Sequence, residues 1–272
     1  MPMNTVTATE VGHRMVHMHV AETDSTMQHV RLVATQWPDR EFVLLSADFQ
    51  TAGRGQRGNH WESERGSNLL FSLLFHPRFL APCRQFALSE ICALAVCETL
   101  RNAFCEAEGR GAGEADFSVK WPNDIYYGDH KICGMLIEHN VVGGQLDTTV
   151  AGVGINVNQQ RFESDAPNPI SLAQILGRPV STDRLCREFC VCFLRLYDRL
   201  QQGAAPDVHA EYLAHLYWRD GWHPYRDARG FFEARVARVS PDGMLTRCLR
   251  DDSERTYAFK EVSHVLGAPS KI

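Results

Sequence analysis

Lysine is scarce in this chain. Of its 28 basic residues only Lys120, Lys131, Lys260 and Lys271 are lysines, and the rest are arginines. Against that background each lysine stands out as a compact point charge. Positive charge is also short overall, with 28 basic against 33 acidic residues, a net charge of −5 and a pI near 6.2. That argues against a general nucleic-acid binder and against a polybasic membrane binder. No apolar run reaches the roughly 18 residues of a membrane-crossing helix. The nearest, Phe86 to Leu100, is interrupted by Glu90 and Glu98. Met1 to Glu10 lacks a basic segment followed by an apolar one, so it does not read as a secretory signal. There is no CxxC pair. The nine cysteines are odd in number and sit mostly in apolar periodic segments. They read as core thiols of a reducing, cytoplasmic compartment. Cys186 and Cys190 would share a helix face, but no histidine or second cysteine pair completes a zinc set. His13, His17 and His19 lie on a strand-like segment without metalloprotease spacing and read as structural or surface residues.

What is present suffices for a packed core: 44% hydrophobic and 22% charged residues. His13 to Val20 reads as a strand. Ser25, with Gln28 three residues on, has capping-box spacing, which starts a helix at Thr26 and carries it to about Thr35. Phe42 to Ala47 and Asn68 to Phe75 read as buried strands, separated by a polar Gly/Arg-rich stretch over 50–66. A long helical stripe runs from Phe79 to Cys105. Strands follow at Phe117 to Lys120, Ile125 to Tyr127, Lys131 to His139 and Gln145 to Val157, with hairpins at Gly128-Asp129-His130 and Gly143-Gly144. Ser171 and Gln174 form a second capping box, opening a helix that ends near Gly177. Helical patterns cover Thr182 to Gln201 and Asp207 to Trp218. After Gly221 come short alternating segments, Phe231 to Val239, Gly243 to Leu249 and Thr256 to Val262. They predict a small all-β module and a boundary near residue 220.

Gly53-Arg54-Gly55-Gln56-Arg57-Gly58 satisfies GxGxxG after a strand. A dinucleotide fold needs a helix to open inside that motif. Here it runs into Asn59-His60-Trp61-Glu62-Ser63, without helical periodicity, so that reading fails. The alternatives are a loop whose glycines bring backbone close to a ligand and whose arginines meet phosphate, or a solvated turn. Gln50 ends the preceding strand, where its amide can pair with a polar ligand edge. Lys120 ends a strand before the turn Trp121-Pro122-Asn123-Asp124. It is either a snorkelling surface cation or a fixed charge facing an anion. Asp124 caps the turn or helps hold magnesium. Gly134 sits inside one strand. Gly152 and Gly154 fall on the same side of another. Glycines on one sheet face fit either a flat ligand or a tightly packed covering helix.

Together these residues resemble one family, the biotin protein ligases, in the superfamily shared with lipoate ligases. The resemblance covers about residues 20 to 220. It is carried by Asp24-Ser25-Thr26, by Gln50 through Gly58, by His60-Trp61, by Lys120-Trp121-Pro122-Asn123-Asp124, by the Lys131 to Glu138 strand, and by Gly152-Val153-Gly154-Ile155-Asn156. It implies an α+β fold: a mixed β-sheet with flanking helices, of the class II synthetase-like kind, over residues 1–220. It also implies an SH3-like β-barrel over 221–272.

The resemblance further implies ATP-dependent biotinylation of a carrier-domain lysine. Biotin's carboxylate attacks the α-phosphate of Mg-ATP to give biotinyl-5′-AMP, and the lysine of a biotin carboxyl carrier domain of acetyl-CoA carboxylase, or a similar carboxylase, then takes the acyl group. No enzyme nucleophile is needed. By the same resemblance Lys120, Arg54 and Arg57 would be catalytic. Ser25, Thr26, Met27, Gln50, Gly53, Arg54, Gly55, Gln56, Lys120, Gly134, Gly152 and Gly154 would bind biotin. Arg54, Arg57, Trp61, Lys120, Asn123, Lys131 and Asn156 would bind ATP or the adenylate, with Asp124 as a magnesium ligand. The segment 54 to 64 is expected to order over the labile adenylate. Two departures stand out. Gln56 replaces an arginine that many members carry, which predicts leakier retention of the intermediate. The pattern also begins near residue 20, leaving no room for the N-terminal DNA-binding domain of some members, so DNA is not an expected partner. A homodimer is compatible with open sheet edges. Lipoate attachment and a non-catalytic ligand-binding regulator are the competing functions.

Overall fold

In the computed structural model, residues 7–11, 13–53, 55, 61–109, 116–163 and 168–266 are described, the first five as backbone only. Strict alternation in two strands explains the layering. Along Phe42-Val43-Leu44-Leu45, Phe42 and Leu44 join one apolar cluster while Val43 and Leu45 join another. Leu73 and Leu74 divide in the same way. A strand apolar on both faces is buried from both sides, so this sheet is the middle layer of a sandwich.

The sheet has eight strands: β1 (Thr7–Val11), β2 (Met15–Thr23), β3 (Phe42–Gln50), β4 (Leu69–Phe75), β5 (Phe117–Lys120), β6 (Asp124–Tyr127), β7 (His130–Val142) and β8 (Gln145–Ile155). Their order is β1-β2-β3-β4-β8-β7-β6-β5. Only β2 and β3 run parallel, and the other neighbours are antiparallel. This mixed sheet is not the parallel, doubly wound kind, which removes the dinucleotide fold on topology as well.

Helices α2 (Phe86–Glu108), α4 (Thr182–Gln201) and α5 (Ala205–Ala214) pack together against one face. There Phe42 meets Tyr197 edge-on at 4.9 Å and Phe75 meets Phe193 at 5.4 Å, pairs worth about 0.5–1.5 kcal/mol each beyond their burial. Helix α1 (Thr26–Val33) lies on the other face, over β3, β4 and β8. The short helix α3 (Leu172–Leu176) has both halves of its predicted capping box and ends at left-handed Gly177, φ 66°.

Three expectations need correction. The long helix begins at Phe86 rather than Phe79, because Pro82 opens a separate 3-10 turn, Pro82–Arg84. Ser25 stands at the N-cap of α1 but its side chain makes no capping bond. The amide of Thr26, the first helical residue, donates to Gln50 Oε1, 2.8 Å away. The last helix of this region stops at Ala214 rather than Trp218.

Residues beyond 221 form a second sheet of five strands, β9 (His223–Asp227), β10 (Gly230–Val239), β11 (Leu245–Leu249), β12 (Glu254–Tyr257) and β13 (Ser263–His264), in the order β12-β11-β10-β9-β13. It is bound to the first unit. Trp121 Nε1 donates to Gly243 O at 3.0 Å and the Trp121 ring lies 5.9 Å from that of Phe259. The Phe86 ring sits under Gly243, whose φ is +89° and where a β-carbon would come within 2.6 Å of Cδ2. His209 bridges Glu90 Oε1 (2.5 Å) and Val239 O (3.0 Å).

Candidate functional site

The glycines noted in sequence fall on the α1 side of the sheet. Gly134 on β7 is the direct partner of Gly154 on β8, and Gly152 pairs with Ser72 on β4. Two groups cover them. At Gly152 a β-carbon would lie 2.7 Å from Met27 Cγ, so Met27 of α1 packs into that gap. At Gly134 and Gly154 the cover is the indole of Trp61, with built β-carbons 2.8 Å from Cζ3 and 2.5 Å from Cε2. The helix-packing alternative holds at 152, whereas at 134 and 154 the cover is a side chain of the protein itself, the Trp61 indole.

Beside this floor lies a polar knot. Thr26 donates to Gln50 Oε1 from its amide at 2.8 Å and from Oγ1 at 3.0 Å. Its hydroxyl proton being so used, Ser72 Oγ, 2.8 Å away, donates to Thr26 Oγ1. The knot thus presents the Gln50 amide nitrogen as a donor and the Ser72 oxygen as an acceptor. Thr51 Oγ1 donates to Asp24 Oδ1 at 2.8 Å and Ala52 N to Asp24 O at 2.9 Å, tying the start of α1 to the end of β3. Ser25 and Thr26 are buried.

The lysines divide the work. Lys131 Nζ bonds Asp124 Oδ2 at 2.7 Å, stands 5.9 Å from the Trp61 ring centre, and would lie 3.3 Å from a β-carbon on Gly134. It is the ammonium at the edge of the floor. Lys120 Nζ donates to Tyr126 Oη at 2.9 Å and stands 4.8 Å above that ring. Burial pushes its pKa down, Asp124 opposes this, and Lys131 adds to it.

Three buried polar atoms here have no partner among the described residues: Trp61 Nε1, Asn123 Oδ1 and Asn156 Oδ1. Such atoms are uncommon in folded proteins and are expected where a ligand completes them. Trp61 is anchored from both sides. Its amide donates to Gly53 O at 3.3 Å. Gln159 holds the chain just after it: Gln159 Oε1 accepts from Glu64 N and from Asn68 Nδ2 (3.0 and 2.6 Å), and Asn68 also donates to Ser63 Oγ at 3.1 Å and accepts from Val157 N at 2.9 Å.

Arg54, Gln56 and Arg57 lie outside the described residues, as does most of the segment expected to order over the adenylate. Gly53 and Gly55 are described, the former packed against Trp61 O and the Gln50 side chain. Sequence reasoning missed Ser72, Asn68, Tyr126 and Gln159. Ser72 had a visible signal, being the one polar residue in Leu69-Leu70-Phe71-Ser72-Leu73-Leu74-Phe75. Among the described residues no three His, Cys, Asp or Glu side chains form a metal-holding group, and no helix is long and apolar enough to cross a membrane.

The mixed sheet, with helices on both faces and the glycine floor on one, has the fold of solved biotin protein ligases. The Aquifex aeolicus biotin protein ligase in complex with biotin and ATP superposes with a TM-score of 0.70 at 22% identity, covering 92% of this chain and 98% of that one. Residues 20–156 match the Biotin/lipoate A/B protein ligase family, and the chain belongs to it. It is 31% identical to the bifunctional ligase/repressor BirA of Bacillus subtilis over 73% of this chain and 58% of that protein. To the biotin–[acetyl-CoA-carboxylase] ligase of Mycobacterium tuberculosis it is 30% identical, over 72% of this chain and 68% of that one. The chain spans about half the length of the bifunctional relatives it matches.

Proposed function

We propose that this protein is a biotin–[biotin carboxyl-carrier protein] ligase, joining biotin to a carrier-domain lysine at the expense of ATP through biotinyl-5′-AMP. One observation carries this reading. A main-chain floor covered by the Trp61 indole, an ammonium at its edge and a donor–acceptor knot at its side bring together the groups that a flat, polar-headed acid needs. The Gln50 donor and Ser72 acceptor suit a neutral ureido ring, with Ser25 and Thr26 forming the wall. Lys131 stands where the acid's carboxylate and the α-phosphate must meet, and two anions approach only if their charge is cancelled. Lys120 adds a second positive charge behind Asp124. The Asn123 and Asn156 oxygens and Trp61 Nε1 offer the nucleotide its polar contacts. Arg54 and Arg57 are assigned to the phosphates, and Gln56 to the cover, from sequence resemblance alone.

Magnesium entering with ATP would shield phosphate charge. Asp124 fits a site of the one-carboxylate kind, since only Oδ2 is engaged by Lys131. We read residues 1–220 as the catalytic unit and 221–272 as an SH3-like barrel that buttresses the Trp121 turn. The carrier is that of acetyl-CoA carboxylase or a similar carboxylase.

The test is a two-stage assay with labelled biotin and ATP: release of pyrophosphate with formation of an adenylate, then transfer to a purified carrier domain. Both stages are expected, and both should collapse in Lys131→Ala. Activity with lipoate but not biotin, or biotin binding with no adenylate, overturns the proposal.

A further inference from the structure

Two ammonium groups and one carboxylate meet where β5, β6 and β7 lie side by side. Lys120 on β5 and Asp124 on β6 are direct cross-strand partners, and opposite charges so placed ordinarily pair. Here they do not. The ion pair of Asp124 is with Lys131 of β7, Oδ2 to Nζ at 2.7 Å, and among the described residues Asp124 has no other. Lys120 Nζ donates instead to Tyr126 Oη at 2.9 Å. Tyr126 follows Asp124 by two residues on β6, so the carboxylate and the phenol share a face and are alternative resting places for the same ammonium. The phenol is neutral, because burial, and after it the charge of Asp124, hold its proton on. A neutral acceptor satisfies one N–H of the ammonium and cancels none of its charge.

Tyr126 is fixed from behind. It is 1% exposed, and its ring packs on that of Tyr217 with centroids 5.2 Å apart. Tyr217 is tied at both ends: its amide donates to Val119 O at 2.8 Å and its hydroxyl to Asp129 Oδ1 at 2.6 Å. Among the described residues Lys120 is the one hydrogen-bond partner of the Tyr126 side chain. A ring so placed cannot follow the ammonium, so the phenol oxygen is a fixed point.

We propose that Tyr126 is a positioning residue that keeps the two lysines apart: it holds Lys120 off Asp124, so that Lys131 keeps the carboxylate and Lys120 keeps an unneutralised charge for an incoming anion. The separation follows from the geometry; its use in joining a carboxylate to a phosphate rests on the ligase reading. An anionic oxygen is a stronger acceptor than a phenol, so Lys120 passes to it with no ion pair to break first. Resting on Asp124, it would have to leave a carboxylate, and it would compete with Lys131 for that carboxylate meanwhile.

Tyr126→Phe in the full-length protein keeps the ring and its packing on Tyr217 and removes only the acceptor. Crystals of the unliganded variant are expected to show Lys120 Nζ moved onto Asp124, with a thermal midpoint close to that of wild type. In adenylate formation, followed by pyrophosphate release, kcat should fall about tenfold or more, the size of one hydrogen bond to a charged group, with little change in KM for biotin or ATP. The defect should act only through Lys120. Tyr126→Phe/Lys120→Ala is therefore expected within about twofold of Lys120→Ala alone, whereas a general packing role would lower both backgrounds equally. Lys120 remaining off Asp124 in the Tyr126→Phe crystal overturns the proposal. So does a kcat unchanged by Tyr126→Phe, or a Tyr126→Phe defect of full size in the absence of Lys120. A wild type that forms no adenylate removes the ligase reading, and the crystal then decides alone whether Tyr126 separates the lysines.

Discussion

Trp61 lies flat on the sheet because residue 154 has no side chain: a β-carbon there would stand 2.5 Å from Cε2 of the indole. Gly152, two residues earlier, is closed by Met27 instead, at 2.7 Å.

The pair predicts two different outcomes for one chemical change. Gly154→Ala displaces an aromatic cover held by a loop, so adenylate formation should fall by about 100-fold or more with little change in thermal midpoint. Gly152→Ala pushes on a methionine that is 7% exposed and part of the packed cluster under α1. It should cost about 1–3 kcal/mol of stability. Urea unfolding and pyrophosphate release separate the two, and equal stability losses would refute the assignment.

Lys131→Ala should impair adenylate formation more than Lys120→Ala. Lys131 faces the floor and neutralises Asp124, whereas Lys120 is turned onto Tyr126. A loss of about 10²–10³ in kcat is expected for Lys131, the usual size for one electrostatic contact to developing charge. Steady-state kinetics of both variants decides, and a larger defect in Lys120→Ala would reverse their roles.

Asn68→Ala strips partners from Val157 N, Gln159 and Ser63 at once. Orphaning buried groups costs about 1–3 kcal/mol each. Because this network also anchors the chain next to Trp61, free adenylate should escape faster than from wild type. Denaturant midpoint and chromatography of released adenylate measure the two effects. A destabilised variant that retains its intermediate as well as wild type would show that the network does not govern the cover.

Burial holds the imidazoles of His17, His139 and His264 below their ordinary pKa of 6.5. The unfolded chain therefore binds protons before the folded one does. The stability these rings contribute is present above about pH 6.5 and lost as pH falls through their lowered values. Glu90 acts the other way: burial raises its pKa above 4.5, so its share is present at low pH and fades as pH rises. The clean measurement is a difference. His139→Gln should flatten the fall in urea midpoint between about pH 7 and about pH 5, and an unchanged slope would contradict the assignment.

What could be read from the chain was what local rules decide. Period-two alternation placed Gly152 and Gly154 on one side, and the Ser171–Gln174 box formed because both partners lie within one turn of helix. The Ser25 box does not form, and the tertiary bond found at this helix start, from the Thr26 amide to Gln50 24 residues away at the end of β3, lies beyond any local pattern. Which lysine faces the floor was hidden by an irregularity: the pairing of β6 with β7 shifts between Ile125 and Tyr126, and counting by twos fails across such a step. Strand β1, Thr-Ala-Thr-Glu-Val, has too little apolar character to announce itself and is supplied by its pairing with β2. The resting place of Trp61 depends on Gly53, Gln159 and Asn68 together, three points no window of sequence spans.

A bed of bare peptide under the indole has an evolutionary corollary. Drift cannot retune it one letter at a time, because every alternative letter adds bulk where there is none to spare. Any change of cargo must come from the sides, through Thr26, Gln50 and Ser72, whose hydrogen bonds are shared. A new preference there demands coordinated replacements rather than a single one.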